Sequence, residues 1–435
     1  MKLYVSIMFV FLSFSPTQAQ SREMKEYFNN GLFFYENGDY KEALYNFLMF
    51  HSLDTDNANI NYKIAMCYFN LPGEELKSIP YLQRASRKIS DTYREYSISS
   101  TSAPLHTLFF LGKAYRLSGD IDNALRVIKE FIASPYYVEY NSAIVERELQ
   151  ICKRAQVMMD NPAKINITNM GDVINNEGDN FSAVMSADGN SIVYVTNLKL
   201  YDAIFYSVKE DGKWKTPVNI SSQVFSDGNM YPTSLSADGT ELYLVKNYQN
   251  KTSDIVRSRL IDGVWTPAEL LNSYINTKGN ETHATISEDG TKLFFTSDSK
   301  GYGGLDIFLS IKNPATGDWG KAVNLGKNIN SSSNENTPFI THNGTLLFFC
   351  SQNHYNMGEY DMFYSQLQSN GKWSTPVNLG YPINTTNNNM FYAPIENGRY
   401  LLIAKNLPEG YGMRDIYKVE LLFDPFAGKN TSLNE

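Results

Sequence analysis

Five dipeptides, Asp188-Gly189, Asp238-Gly239, Asp289-Gly290, Asn343-Gly344 and Asn397-Gly398, recur along the second half of this chain at intervals of 50 to 54 residues. Each is flanked by short apolar runs, and Asp-Gly or Asn-Gly in that setting is a strong hairpin signal, because both residues tolerate the positive φ such a turn needs. Downstream of each turn a strand opens on aspartate, at Asp202, Asp254, Asp306, Asp361 and Asp415. Four of these are followed by Trp214, Trp265, Trp319 and Trp373, each opening a segment of the type Trp-x-x-Pro-Val-Asn-Leu or a close relative. One repeat parses as four strands, over 281–287, 293–297, 306–312 and 319–325. Four antiparallel strands repeated radially make a propeller blade, so five blades are expected. The fifth lacks its own tryptophan strand, but residues 165–175 copy the register of 373–384. That N-terminal strand is therefore expected to pair with the last blade, closing the ring and hiding an edge; a sixth blade is the alternative.

The first part of the chain follows a helical pattern. Gly31, Phe34, Gly38, Tyr40, Ala43 and Phe47 return with the same offsets as Gly112, Tyr115, Gly119, Ile121, Ala124 and Ile128. This predicts a helix, a tight Gly-Asp turn and a second helix packed on the first, with the small residues at 31, 43, 112 and 124 allowing close approach. Ala65 and Tyr68 mark a middle copy whose turn is Pro72-Gly73, a polar stretch at 91–102 spaces it from the third, and a capping helix is expected near 142–158. The fold class is thus α+β multidomain, an N-terminal helical solenoid followed by an all-β propeller. The bounds are a signal peptide at 1–19, the helical domain at 20–161, the propeller at 162–424 and a tail at 425–435. An unrelated helical bundle is the alternative for the helices.

The signal peptide is read from Lys2, the apolar run that follows it, and Thr17-Gln18-Ala19, with cleavage after Ala19. The run is too short to span a bilayer, and no later stretch is long and apolar enough, so the mature chain is expected to carry no transmembrane segment. Lys and Arg number 38 against 46 Asp and Glu, a net charge of −8 that offers no basic field to nucleic acid. Five histidines, His51, His106, His283, His342 and His354, lack metal-ligand spacing, and three cysteines, Cys67, Cys152 and Cys350, fall in apolar segments. Neither a metal nor a cofactor is expected.

The N-terminal pattern resembles the tetratricopeptide repeat, whose period is about 34 residues. The later Ser-x-Asp-Gly turns, apolar strands and Asp-Ile-Phe starts resemble the WD40-like repeat of the TolB type. Their order after a signal peptide is similar to the N-terminal part of the PorE-like envelope proteins of Bacteroidetes. The chain as read ends at Glu435, without the OmpA-type domain of those proteins. The resemblance implies an exported, periplasmic protein peripherally associated with the outer membrane, with a link to a type IX secretion-like assembly.

The repeated aspartates invite a reading as an acidic ring, but one aspartate leading a strand in every blade fits hydrogen bonding at a turn better. The tryptophans, equally periodic, are expected to pack between blades. Departures from the repeat are more informative. Loops at 299–305, 353–360 and 408–414 carry Tyr302, Tyr355, Tyr360 and Tyr411, a candidate binding rim for protein or glycan. No Gly-x-Ser-x-Gly or other nucleophile context is present, so no catalytic residue is assigned and the chain is not expected to be an enzyme. Two interaction-type repeats predict a non-catalytic cell-envelope scaffold or adaptor that binds protein partners through the helical groove and the propeller loop face. A glycan-binding or glycan-processing propeller is the alternative.

Overall fold

The computed structural model describes residues 16–134, 137, 142–249 and 252–423. Most of the expected signal peptide, and the tail at 425–435, lie outside the described residues. The chain divides into two compact units, Met1–Lys153 and Arg154–Glu435.

The first unit is a series of helix hairpins: α1 (Pro16–Glu36) with α2 (Tyr40–Leu53), α3 (Ala58–Phe69) with the short α4 (Ile79–Ala85), and α5 (Thr107–Leu117) with α6 (Ile121–Ala133). A further helix, α7 (Ser142–Asp160), contains the division between the units. The Gly-Asp turns do two jobs. Gly38 and Gly119, at φ +76° and +81°, end their helices in the left-handed region. Asp39 and Asp120 then cap the next helices, accepting the N–H of Glu42 and of Asn123, each at 3.2 Å. A Cβ on Gly31 would stand 2.5 Å from the Phe47 ring, and one on Gly112 2.5 Å from Ile128, so glycine sets the helix spacing at both places. Phe28, Phe47, Phe50, Ile60 and Ile64 fill the space between the first helices, and a buried Arg116–Glu148 ion pair joins α5 to α7.

The polar stretch at 91–102, which spaces the second copy from the third, is largely exposed and yet docked. Its two ends are clasped by a parallel bridge between Ile89 and Ala103, and it folds back over α3. The Thr101 carbonyl accepts the Ala58 N–H at 3.1 Å, and the Ser100 carbonyl accepts from Asn59 Nδ2 at 3.0 Å. Tyr93 in turn donates its hydroxyl to Asn59 Oδ1 at 3.0 Å. Side-chain chemistry at two places, Tyr93 and Ile98, outweighs the polar average of the segment.

The second unit is a propeller of five blades; the six-blade alternative is excluded. The innermost strands are Asn180–Met185, Met230–Leu235, Glu281–Ile286, Glu335–Ile340 and Ala393–Ile395. Blade 5 is completed by Ile165–Asn169, which pairs antiparallel with Asp415–Leu421 and sets Ile167 opposite Val419. Residues more than two hundred positions apart in the chain thus close the ring.

The outermost strands differ from expectation. In blade 3 the predicted run 319–325 is reduced to Val323–Asn324, with Trp319 making a separate bridge to Lys312. In blades 1, 2 and 4, Pro217, Pro267 and Pro376 fall between the tryptophan and the short pairing strand. Proline has no N–H to give the ladder, so these edges stay short and poor templates for other chains. The tryptophans pack on the preceding blade: Trp265 meets Tyr206 edge-on at 5.5 Å and Trp373 meets Phe294 at 6.2 Å, while Trp319 joins Tyr243 and Ile255. Trp214 packs against the largest core cluster.

Candidate functional site

Every blade begins its third strand with one of the repeated aspartates, and the structure shows what each holds. Asp306 accepts the N–H groups of Tyr302 at 2.6 Å and Gly303 at 3.1 Å, and Nδ2 of Asn324 at 2.7 Å. Asp361 binds Met357 N–H and Asn378 Nδ2, and Asp415 binds Tyr411 N–H and Asn169 Nδ2. Asp202 takes Asn197 Nδ2 and the Tyr231 hydroxyl instead. In blade 2 the asparagine is replaced by Leu270, and Tyr248 bonds Asp254; burial, helped by that carboxylate, pushes the Tyr248 hydroxyl up to about 12. Asp306, Asp361 and Asp415 thus tie the loop between the second and third strands to the outer edge of its own blade.

A second clamp lies six residues on. Asn175, Asn276, Asn330 and Asn384 each accept a strand N–H through Oδ1 and return Nδ2 to the same residue's carbonyl, as Asn330 does to Ile307 at 2.8 and 2.9 Å. From Asn169, Asn219, Leu270 and Asn324 to the first residue of the next inner strand is 11 residues, and from Asn378 to the shorter inner strand at Ala393 it is 15. This register identifies the one exception. Where four blades have the clamp asparagine, blade 1 has Phe225, at φ +60°, and Ser221 Oγ takes over the Ile204 N–H at 2.9 Å.

Phe225 is 72% exposed, and it does not stand alone. Leu200 is 94% and Met413 66% exposed, with Leu198 and Tyr201 also at the surface. Met413 N–H bonds the Gly178 carbonyl, a Cβ on Gly178 would touch the Asn197 carbonyl, and one on Gly228 would touch Tyr201. These short links place loops of blades 5, 1 and 2 side by side, so exposed Met413, Leu200 and Phe225 follow one another on neighbouring loops, a crescent on the face where the second strands end. A cavity of about 560 Å³, lined by Tyr201, Asn219, Ser222 and Asp227, opens beside it. Sequence reasoning missed this crescent; Phe225 in the asparagine register was the signal that could have found it.

The candidate rim tyrosines divide. Tyr302 and Tyr411 are exposed, but Tyr355 and Tyr360 are half-buried, and burial pushes the Tyr360 hydroxyl up to about 12. Over blades 2 to 4 the same face carries a groove of about 520 Å³, whose lining includes Asn247, Tyr248, Asn280, Asp298, Leu305 and Asn334. Asp298 accepts both the N–H and Nδ2 of Asn280, at 2.7 and 2.6 Å.

The inner strands bring two glutamates into the core. Glu281 accepts from Thr277 N–H, Thr277 Oγ1 and Ser297 Oγ, and Glu335 likewise from Ser331 and Ser351. Burial raises the Glu335 carboxyl above its ordinary value, against the pull of those bonds. His283 packs on Phe339 at 4.8 Å, and burial lowers its imidazole to about 3, so it is neutral. Among the described residues no three His, Cys, Asp or Glu side chains converge to hold a metal, and no helix is long and apolar enough to cross a membrane. The three cysteines are buried and unpaired by disulfides; burial pushes each thiol up to about 12.

No family model matches this chain. No curated protein matches it in sequence either. Among solved structures it is similar to TolB from Acinetobacter baumannii, at 16% identity and a TM-score of 0.35, over 56% of this chain and 54% of that one. It is also similar to the catalytic domain of the Coprinopsis cinerea GH62 α-L-arabinofuranosidase, at 12% identity and a TM-score of 0.39, over 60% and 98% of the two chains. A thermostable family-43 glycoside hydrolase matches at 10% identity and the same TM-score, over 59% and 94%. The aligned part spans little more than half of the TolB chain. At these identities and TM-scores the likenesses carry no functional argument, and the propeller stands on its own strand pairing.

Proposed function

We propose that this chain is a non-catalytic scaffold or adaptor of the bacterial cell envelope, binding protein partners through the loop face of its propeller and through its helical unit. The observation that carries this reading is the apolar crescent of Leu200, Phe225 and Met413. Contiguous exposed apolar side chains rimmed by polar loops mark protein contact surfaces. The repeated aspartates, and the buried Glu281 and Glu335, are all engaged in holding loops, which supports a structural role for the acidic groups. The finer reading draws on the resemblance of the two repeats to tetratricopeptide and TolB-type modules. It adds export to the periplasm, peripheral association with the outer membrane and a link to a type IX secretion-like assembly.

The test is chemical cross-linking of the full chain in native envelope preparations, comparing wild type with Leu200→Asp/Met413→Asp and with Tyr274→Ala as a distant exposed control. A product that survives Tyr274→Ala and disappears with the aspartates supports the reading. Identical products from all three chains would sink it.

A second reading, glycan binding, is favoured by the groove of Tyr248, Asn247, Asn280 and Asp298, which pairs an aromatic ring with amides and a carboxylate and has no cation among its lining residues. A glycan array comparing wild type with Tyr248→Ala and with Tyr302→Ala/Tyr411→Ala tests it. Absence of binding, or binding indifferent to all of these changes, removes that reading.

A further inference from the structure

The helical unit presents one shared face from its successive first helices, and the chain itself covers that face. Phe28 and Tyr62 stand three residues before Gly31 and Ala65, while Asn59 and His106 stand six before Ala65 and Gly112. These repeated positions meet the segment 91–102. Tyr93 bonds Asn59 and lies edge-on to Tyr62 at 6.3 Å, and Tyr62 in turn hydrogen-bonds His106 at 2.8 Å. Ile98 packs against the cluster built on Phe28, Phe47 and Ile60. Glu95 acts electrostatically on Tyr35 of α1, Lys63 of α3 and His106 at the start of α5. The segment thus bonds α3 directly and packs on the cluster to which α1 contributes Phe28, while the charge of Glu95 acts on His106 just before α5.

How it is held matters. Its ends are fixed by the Ile89–Ala103 bridge, by Thr101 and Ser100 on α3, and by Lys88 Nζ on Thr101 Oγ1 at 2.7 Å. Between residues 91 and 99 the backbone-to-backbone hydrogen bonds stay within the segment, as Ser97 N–H to the Arg94 carbonyl does. There the attachment is by side chains, the Tyr93 hydroxyl and ring and the Ile98 contact, and the charge of Glu95 acts favourably on the buried Lys63 ammonium. Asp91, Thr92, Arg94, Glu95, Tyr96 and Ser99 are exposed. A compact loop with clasped ends and a middle docked by a few side chains can open without unfolding the helices beneath.

We propose that the face shared by α1, α3 and α5 is a docking surface for an extended segment of another protein bearing tyrosine, an aliphatic residue and a carboxylate, and that residues 91–99 occupy it as an intramolecular stand-in which the partner displaces. The chemistry is read from the occupant. Tyr93 supplies a hydroxyl to Asn59 and a ring to Tyr62, Ile98 an aliphatic contact with the core, and Glu95 a counter-charge to Lys63. This deepens the helical half of the adaptor reading and is independent of the propeller face.

The experiment needs no natural partner. In the full chain, residues 91–99 are replaced by a Gly-Ser linker of equal length, and a fluorescent peptide of residues 90–102 is offered in trans. Saturable binding to the linker variant, at least about tenfold tighter than to the unaltered chain, is expected, because the native face is already filled. A peptide carrying Tyr93→Ala and Ile98→Ala should lose most of that affinity. A linker variant that keeps its helical circular dichroism yet does not bind, or an unaltered chain that binds equally well, overturns the proposal. Should the linker variant not fold, hydrogen exchange on the unaltered chain decides. Amides of 92–99 exchanging at least about a hundredfold faster than those of α3 support a displaceable segment, and exchange in step with α3 refutes it. Cross-linking through the propeller crescent would be unaffected by any of these outcomes.

Discussion

In the helical unit the surface left over by successive helices is covered by the chain's own residues 91–102, whereas the propeller leaves Leu200, Phe225 and Met413 bare. The two units are built from repeats whose local rules are equally strict. In the helices, Gly31 and Gly112 set the spacing, and an insertion between copies folds back as a cover. In the propeller, the asparagine clamp fixes four blades, and the candidate surface arises where blade 1 drops that asparagine for Phe225. Regular repeats build the frame, and each unit's candidate contact surface sits where its repeat is broken.

The largest effect should come from removing the closing strand Ile165–Asn169. Unpaired, Asp415–Leu421 becomes an open edge, so the propeller should lose its cooperative unfolding transition and aggregate while the helical signal persists. An unchanged transition would mean that closure contributes little. Next, Asp306→Ala strips a buried carboxylate from two loop N–H groups and Asn324, a loss of about 3 kcal/mol by urea unfolding. Asp254→Ala, in the blade where leucine replaces the asparagine, should cost about 1 kcal/mol. Equal losses would show that the clamp is not what distinguishes the blades.

Phe225→Asn tests the broken repeat directly. Asparagine tolerates the left-handed backbone that Phe225 adopts, so the propeller should gain about 1 kcal/mol while cross-linking through the crescent falls. A stabilised protein with unchanged cross-linking would place the contact elsewhere.

A smaller effect separates the units by pH. Burial lowers the Lys63 ammonium to about 8, below the 10.5 of an unfolded lysine, despite the opposing charges of Glu95 and Glu36; the nearby Cys67 thiol is held neutral by burial. The unfolded chain therefore binds that proton more tightly. The resulting cost is fully present below pH 8 and is relieved as pH rises towards 10.5. Cys67 and Cys152, whose thiols burial raises from 9.0 to about 12, pull the other way over the same range. The readout is therefore a difference: the advantage in melting temperature of Lys63→Met over the unaltered chain should shrink between pH 8 and about 9.5.

The smallest effect belongs to the hairpin turns. Bonds from Ser287 and Thr291 lower the Asp289 carboxyl from 3.8 to about 2. Its contribution is present above pH 3.8 and is lost as pH falls through 2, and because the group is exposed the loss should be slight. Ser287→Ala should flatten that acid limb, as seen in acid titration of the propeller signal.

Much of the architecture was legible because its rules are local. An Asp-Gly turn needs positive φ at its glycine, a Gly-Asp pair both ends one helix and caps the next, and a residue four or eleven positions along lands on a fixed face. The helix hairpins, the five blades and the closing strand follow from such periods. The repeated aspartates and tryptophans recur at fixed offsets for the same reason, at loop anchors and blade contacts.

What needed tertiary structure was where exceptions to the period end up in space. Nothing in the polar composition of 91–102 tells that Tyr93 will reach Asn59 and Ile98 the helical core, since both contacts depend on helices separated from the segment in sequence. Nor does a list of loop tyrosines tell that Tyr355 and Tyr360 will be half-buried while Leu200 and Met413, on neighbouring loops of blades 1 and 5, are left exposed. Repeats propagate short-range constraints along the chain. A surface is assembled from residues far apart in it, so its composition is decided only when the ring closes and the inserted segment docks.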